Sequence, residues 1–209
     1  MDTRQRSRAL DPAWRRWTLL GALFVLGVAY VAAFALFVAR SENFIEKQRL
    51  DAAAAYSREH KAQVPSTLSF RSGSADIARL GGGWHRPEEA GVWSSEKNAW
   101  IAVSTRDFRA DLLVRLNLIA FAPPPRPRLQ IRIDVDGQPL GAWDRDSATG
   151  EKPLEVRVPA ALLRDGQITI ALHTDHVDSP FHLGIGADKR KLGVLLSSIE
   201  LRPASSPTE

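Results

Sequence analysis

The segment Leu129-Gln-Ile-Arg-Ile-Asp-Val135 decides the fold, because apolar and polar residues alternate through it without a break. A period of two places the apolar residues on one face of an extended chain and the polar residues on the other. The dipeptide Asp136-Gly137 follows at once and is a strong signal for a tight hairpin turn. We therefore predict a β-strand over residues 129–135.

The same period recurs on both sides of this segment. Turn signals separate the candidate strands, and no helical pattern lies between them. About eight strands at this spacing favour an all-β fold, a jelly-roll-like antiparallel β-sandwich over residues 66–203, with a disordered tail over 204–209. The further strands are predicted over 67–70, 91–95, 100–104, 110–122, 154–158, 168–172 and 191–201.

An uncharged segment of 22 residues, Thr18–Ala39, precedes the β-rich region. As a helix it would be ~33 Å long, close to the ~30 Å thickness of a bilayer's hydrocarbon core. A cleaved signal peptide is the alternative, but its apolar part is usually only about 7–15 residues long. The length therefore favours an uncleaved transmembrane helix over 18–39, followed by a helical stalk or linker over 40–65.

Charge gives the expected orientation of this helix. The leader, residues 1–17, carries five arginines against two aspartates, so the other 192 residues account for only +1 of the formal net charge of +4. Basic residues remain on the cytoplasmic side of a membrane span. Together with the excess of arginine over lysine, 22 to 6, this predicts a single-pass protein of a bacterial inner membrane. Its C-terminal domain would be periplasmic, and its near-neutral charge argues against a nucleic-acid partner.

Catalytic and metal-binding patterns are missing from the sequence. The chain has no cysteine, which excludes disulfides and thiolate metal sites, and it has no nucleophile elbow, phosphate-binding loop or zinc-protease motif. We therefore expect neither an enzyme nor a cofactor. One histidine and aspartate cluster matches no known ligand spacing and is interpreted as a strand end that runs into a loop: His173, Asp175, His176, Asp178 and His182.

The segment from Gly81 to Ser95 has the most unusual composition, because three of the six tryptophans lie within residues 84–100. Indole rings beside arginine, histidine and glutamate are typical of a sugar site, where the ring stacks on the apolar face of the sugar. The alternative is that these tryptophans are part of the core. At the pair Val92-Trp93 the two side chains have opposite parity, so Val92 could equally be the buried residue in place of Trp93.

Two parts of the sequence carry a resemblance to a known family. Gly83-Trp84-His85-Arg86-Pro87-Glu88, with Gly91-Val92-Trp93-Ser94, resembles the opening of a carbohydrate-binding-like β-sandwich module. That module is appended to bacterial membrane glycosyltransferases and phosphoglycerol-transferase-like proteins. The segment from Gly184 to Val194 is similar to its closing strand, which contains Asp188 and Arg190. The resemblance covers roughly residues 66–202. This sequence departs from the usual arrangement, because we expect one membrane span and no transferase domain beside the module.

The resemblance implies a carbohydrate site. Trp84 and Trp93 would stack on the sugar, and further side chains would orient it: His85, Arg86, Glu88, Asp188 and Arg190. An ion pair between Asp188 and Arg190 that fixes the last strand is an equally acceptable interpretation of those two residues.

The predicted function is a non-enzymatic, membrane-anchored accessory protein. Its jelly roll would bind an envelope glycan or dock on a glycan-handling membrane complex. The alternative is a structural subunit of a larger membrane assembly that contacts a protein partner through its transmembrane helix and its β-sandwich.

Overall fold

The computed structural model describes residues 12–146, 150, 152–163 and 166–204, with the side chains of 12–16, 18–19 and 37–43 excepted. Most of the predicted leader, and residues 205–209 of the predicted tail, therefore lie outside the described part of the chain. The chain divides into two compact units, Met1–Phe44 and Ile45–Glu209.

One helix, α1 (Pro12–Glu59), accounts for all described residues of the first unit and continues into the second. In the first unit its described large apolar side chains are exposed, with Phe24 and Tyr30 each 73% accessible. Tyr30 and Phe34 stack with their ring centroids 6.5 Å apart.

The described part of the chain contains no helix whose length and apolarity would let it cross a bilayer. The transmembrane helix predicted over residues 18–39 is therefore not supported by the structure. Five residues of that segment, 18, 19 and 37–39, have side chains outside the description.

The described residues of the second unit form nine strands. All strand pairings are antiparallel. The strands are β1 (Ser66–Ser69), β2 (Val92–Trp93), β3 (Asn98–Ser104), β4 (Leu112–Ala120), β5 (Arg128–Val135), β6 (Gln138–Asp146), β7 (Leu154–Val158), β8 (Gln167–Thr174) and β9 (Val194–Pro203).

These strands form two sheets. One has the order β1-β9-β4-β7, with β2 also paired to β9, and the other has the order β3-β8-β5-β6. If β2 is left aside, the chain changes sheet at every connection except the hairpin between β5 and β6. That winding is a jelly roll, so the predicted antiparallel β-sandwich is confirmed.

Strand β5 shows how the sequence builds the core. Leu129, Ile131 and Ile133 are fully buried between the sheets, whereas Gln130 and Arg132 between them are exposed on the outer face. The turn that follows has positive φ angles at both of its central residues, 48° and 79° at Asp136 and Gly137. Positive φ at both positions is what a tight hairpin requires, so the predicted turn is confirmed.

Strand β6 was not predicted. It is an edge strand that pairs only with β5, and it contains Pro139 and Gly141, which weaken any strand pattern. The ring of Trp143 folds over Gly141, where an added Cβ would lie 2.3 Å from that ring. An edge strand tolerates such residues because one of its sides needs no ladder of hydrogen bonds.

The last turns of α1 pack on the sandwich within the second unit. Arg79, which is 3% exposed, connects them. Its guanidinium donates to Asp76 at 3.0 Å, to Ser57 Oγ at 2.8 Å and to the carbonyl oxygen of His60, and it lies 5.6 Å from the ring centroid of Tyr56. A buried charge is tolerated only when it is paired and hydrogen-bonded in this way.

The glycines at 81 and 82 give the helix room to approach. An added Cβ would lie 3.1 Å from Leu50 at Gly81 and 3.2 Å from Glu46 at Gly82. The glycine-rich start of the tryptophan segment is therefore explained by packing against α1.

Gly83 and Gly137 form a matched pair for a stability test. Both have φ near +80°, but an added Cβ at Gly83 would lie 2.0 Å from the carbonyl oxygen of Asn98, whereas Gly137 has no neighbour within 4 Å. We expect Gly137→Ala to lower the free energy of unfolding by about 1–2 kcal/mol, from backbone strain alone. Gly83→Ala should lower it by about 1–3 kcal/mol more, because the added Cβ would overlap the carbonyl oxygen of Asn98. Urea unfolding followed by tryptophan fluorescence measures both, and equal losses would contradict this packing.

Candidate functional site

Trp84, the first residue of the predicted sugar site, is part of the core. It is 7% exposed, and its Nε1–H donates to the carbonyl oxygen of Trp100 at 2.9 Å. Its polar group is therefore satisfied inside the protein. The prediction that Trp84 stacks on a sugar is wrong, because the ring is covered in the folded chain.

Trp93 keeps part of its side chain exposed. Its neighbour Val92 is fully buried, which confirms the alternative that Val92 is the core residue of the pair. The ring of Trp93 meets the ring of Phe121 edge-on, with the centroids 6.0 Å apart. Sugar binding by Trp93 stays a prediction.

Four predicted site residues from two distant segments come together. Arg190 donates to Asp188, with an Nη2–Oδ2 distance of 2.8 Å, and also to Glu88. His85 lies beside them, with its Nε2 2.7 Å from the carbonyl oxygen of Lys191. The structure therefore joins the segment around residues 85–88 to the segment around 188–191, as the resemblance implied.

The charges in this cluster satisfy one another. The side-chain and backbone hydrogen bonds of Arg190 lower the pKa of Asp188 below its ordinary value of 3.8. Asp188 and Glu88 in turn raise the pKa of Arg190. These interactions favour the interpretation of an ion pair that fixes the loop before β9. Arg86 is exposed and has no hydrogen bond or ion pair with any described residue, so its predicted contact with a sugar remains untested.

A second polar surface lies on the outer face of β5 and continues towards the loop that precedes it. Two adjoining depressions, of about 200 and 460 Å³, share Asp175. We call them together the β5 groove. The first is lined by Gln130, Arg132, Ala142, His173, Thr174 and Asp175, and the second by Arg126, Pro127, Arg128, Asp175 and His176.

A hydrogen-bonded chain crosses three strands at one end of the β5 groove. Arg132 Nε lies 3.0 Å from Asp134 Oδ1, and His173 Nε2 lies 3.1 Å from Asp134 Oδ2. The other ring nitrogen of His173 lies 2.8 Å from Asn98 Oδ1. Because each side chain is held by its neighbours, this end of the groove presents polar groups in a fixed arrangement.

The other end of the groove contains His176 between two carboxylates. Its Nδ1 lies 3.0 Å from Asp175 and its Nε2 lies 3.6 Å from Asp178, which also pairs with Arg126 at 3.4 Å. Burial raises the pKa of Asp175, but the hydrogen bonds from His176 and from the backbone N–H of Gln130 outweigh it, and the pKa lies below 3.8. Within the described residues, no group of three or more acidic or histidine side chains is arranged to hold a metal.

The sequence contained a signal for this groove that motif searches missed. Strict alternation over residues 129–135 already assigned Gln130 and Arg132 to the outward face. The histidine and aspartate cluster around 173–178 was interpreted as an exposed strand end, and the structure places His173 at the end of β8 in register with Arg132. The sequence does not predict that β5 and β8 are neighbours, because strand pairing between distant segments leaves no local pattern.

Comparisons with known proteins give structural similarities only. No protein-family model and no curated protein matches the chain. Similar solved structures include the CBM36-1 domain of a multidomain xylanase from the hindgut metagenome of Trinervitermes trinervoides. It is 13% identical with a TM-score of 0.38, and the match covers 68% of this chain and 98% of that chain.

Two further structures are similar to the same extent. The C-terminal CBM6 of LamC from Zobellia galactanivorans is 15% identical over 66% of this chain and 99% of that one, with a TM-score of 0.39. A carbohydrate-binding module CBM36 in complex with calcium and xylotriose is 11% identical over 65% and 98%, with a TM-score of 0.35. All three TM-scores are below 0.5, so the similarities assign neither a ligand nor a residue role to this chain.

Proposed function

We propose that this chain is a non-enzymatic glycan-binding protein and that the β5 groove holds the glycan. The observation that carries the proposal is the row formed by Arg128, Gln130 and Arg132 on one face of β5. Three alternate positions on a strand span ~13 Å, so a single rigid element offers hydrogen-bonding groups over the length of more than one sugar unit.

The chemistry of the groove suits hydroxyl-rich ligands. Guanidinium groups donate only, carboxylates accept only, and the side-chain amide of Gln130 does both, so the lining can satisfy hydroxyls in either role. His173 and Asp175 face the row from the neighbouring strand and the loop that follows it. Because strands and paired side chains hold these groups, little conformational entropy is lost when a ligand binds.

The proposal also includes a membrane tether through residues 18–39, with the β-sandwich in the periplasm of a bacterial cell. It rests on the uncharged sequence and on the basic leader before it. Large apolar side chains of this segment, among them Leu23, Phe24 and Val25, are exposed, and such a surface is unfavourable in water. In this arrangement the chain would hold an envelope glycan near a glycan-handling membrane complex.

Glycan binding at the β5 groove predicts a specific pattern of losses. Gln130→Ala should weaken binding by about five-fold, which corresponds to one neutral hydrogen bond of about 1 kcal/mol. Arg132→Ala should weaken it at least as much, because a charged donor is lost. Affinity gel electrophoresis against a panel of bacterial envelope polysaccharides measures the retardation.

Two further variants complete this experiment. Arg202→Ala, on the outer face of the opposite sheet, is the matched control and should leave the retardation unchanged. Trp93→Ala distinguishes the two candidate surfaces. If Trp93→Ala abolishes retardation while Gln130→Ala and Arg132→Ala have no effect, the glycan binds at the tryptophan segment. The assignment of the glycan site to the β5 groove is then wrong.

The membrane tether predicts that the full-length protein stays in the membrane pellet after alkaline carbonate extraction. Replacing Val25 and Val28 with aspartate should release it, since a charge at the centre of a membrane helix costs about 2.5–3.5 kcal/mol. Release of the unmodified protein into the soluble fraction would contradict the tether without affecting the glycan proposal.

A further inference from the structure

One loop of the β-sandwich exposes apolar side chains that packing does not explain. Among the large apolar residues described between 45 and 204, only Ile45, Phe181 and Ile185 are exposed. Phe181 and Ile185, which are 50% and 52% exposed, lie in the same loop, residues 180–186. We call this segment the 180–186 loop. Exposed apolar groups concentrated in one place indicate a contact surface.

The 180–186 loop is held in shape by its own backbone. The N–H of Phe181 donates to the carbonyl oxygen of Asp188 at 2.8 Å, and the N–H of Ile185 donates to that of Pro180 at 3.0 Å. The N–H of Leu183 donates to the carbonyl oxygen of Ser179 at 3.0 Å, and the N–H of Gly184 donates to that of Phe181 at 3.1 Å. These four backbone donors therefore need no water, and the loop could enter an apolar medium without leaving them unsatisfied.

The base of the loop is fixed by charge. Arg190 binds Asp188 within the loop's closing segment and Glu88 on the segment opposite. The Ser179 hydroxyl donates to the Asp188 carbonyl oxygen at 3.1 Å. The ion-paired cluster of predicted site residues therefore has a structural consequence: it presents Phe181 and Ile185 outward from a rigid base.

The surroundings of the loop are basic. The ammonium of Lys189 lies 5.0 Å from the ring centroid of Phe181, and Lys191 is exposed close by. Arg86, which follows His85 in the segment bonded to Lys191, is exposed as well. Arg190 is shared by two carboxylates, Asp188 and Glu88. The exposed positive charge around the loop therefore comes from Lys189, Lys191 and Arg86.

We propose that the 180–186 loop docks on the surface of an anionic lipid bilayer. Phe181 and Ile185 would enter the interface, and Lys189 and Lys191 would contact the lipid headgroups. Two apolar side chains on a small loop are far from the roughly 800 Å² per partner that a stable protein interface buries, whereas they suit shallow insertion between headgroups. This inference does not depend on the glycan proposal, since none of these residues lines the β5 groove.

A fluorescent probe on the loop tests the proposal. The chain contains no cysteine, so Ala187→Cys in the full-length protein can be labelled uniquely with an environment-sensitive dye. In protein-free vesicles that contain phosphatidylglycerol, we expect the emission to shift to the blue, and to shift much less in phosphatidylcholine alone. Each of Lys189→Gln and Lys191→Gln should lower the ratio of inserted to free loop by about five-fold.

Matched variants separate insertion from general association. The same dye at Gln138→Cys, on the turn between β5 and β6, should show no lipid-dependent shift. Phe181→Ser combined with Ile185→Ser should abolish the shift at position 187, while the thermal midpoint stays unchanged because both side chains are exposed. Absence of a shift at position 187 in phosphatidylglycerol vesicles would overturn the proposal, as would equal shifts at 187 and 138. A shift that appears only when a membrane protein is added would assign the loop to a protein partner instead.

Discussion

The alternation of residues along β5 is the constraint on which the proposed site depends. Ile131 and Ile133 are fully buried between the two sheets, and a slip of one residue would bring Gln130 and Arg132 into the core. Burying unpaired polar and charged groups costs far more than a folded domain of this size can tolerate. The register is therefore fixed by the core, and the outward row that lines the β5 groove is fixed with it.

The end of α1 decides which part of the outer sheet face remains open. Ala102 and Ser104 alternate with the core residues of β3, and so face outward, but they are buried. Arg58 on α1 donates to Gln167 on β8, which pairs with Ser104. The helix thus accounts for the covered β3 side of this sheet, whereas the β5 side, with β6 at its edge, carries the groove.

The strands could be predicted where a two-residue period is strong. The tryptophan segment has no such period, so the sequence could not show which of its side chains face the core. Residues 154–158 were predicted with the same bounds as β7, whereas β6 was missed because Pro139 and Gly141 interrupt its pattern. Trp84 was placed on the surface for its chemistry, although its ring fills the core. Asp188 and Glu88, 100 residues apart, were brought into one cluster by the family resemblance, since no local pattern connects them.

Glycan binding on the outer face of β5 is tested most directly by a nuclear magnetic resonance titration of the full-length protein with an oligosaccharide of the polysaccharide that retards it. The resonances to follow are the Gln130 side-chain amide and the Arg132 Nε–H, with Trp93 Nε1–H as the competing site. Binding in the β5 groove predicts saturable chemical-shift changes at Gln130 and Arg132, with little change at Trp93. Shifts confined to the tryptophan segment, or none at β5 at concentrations that saturate binding, would contradict it.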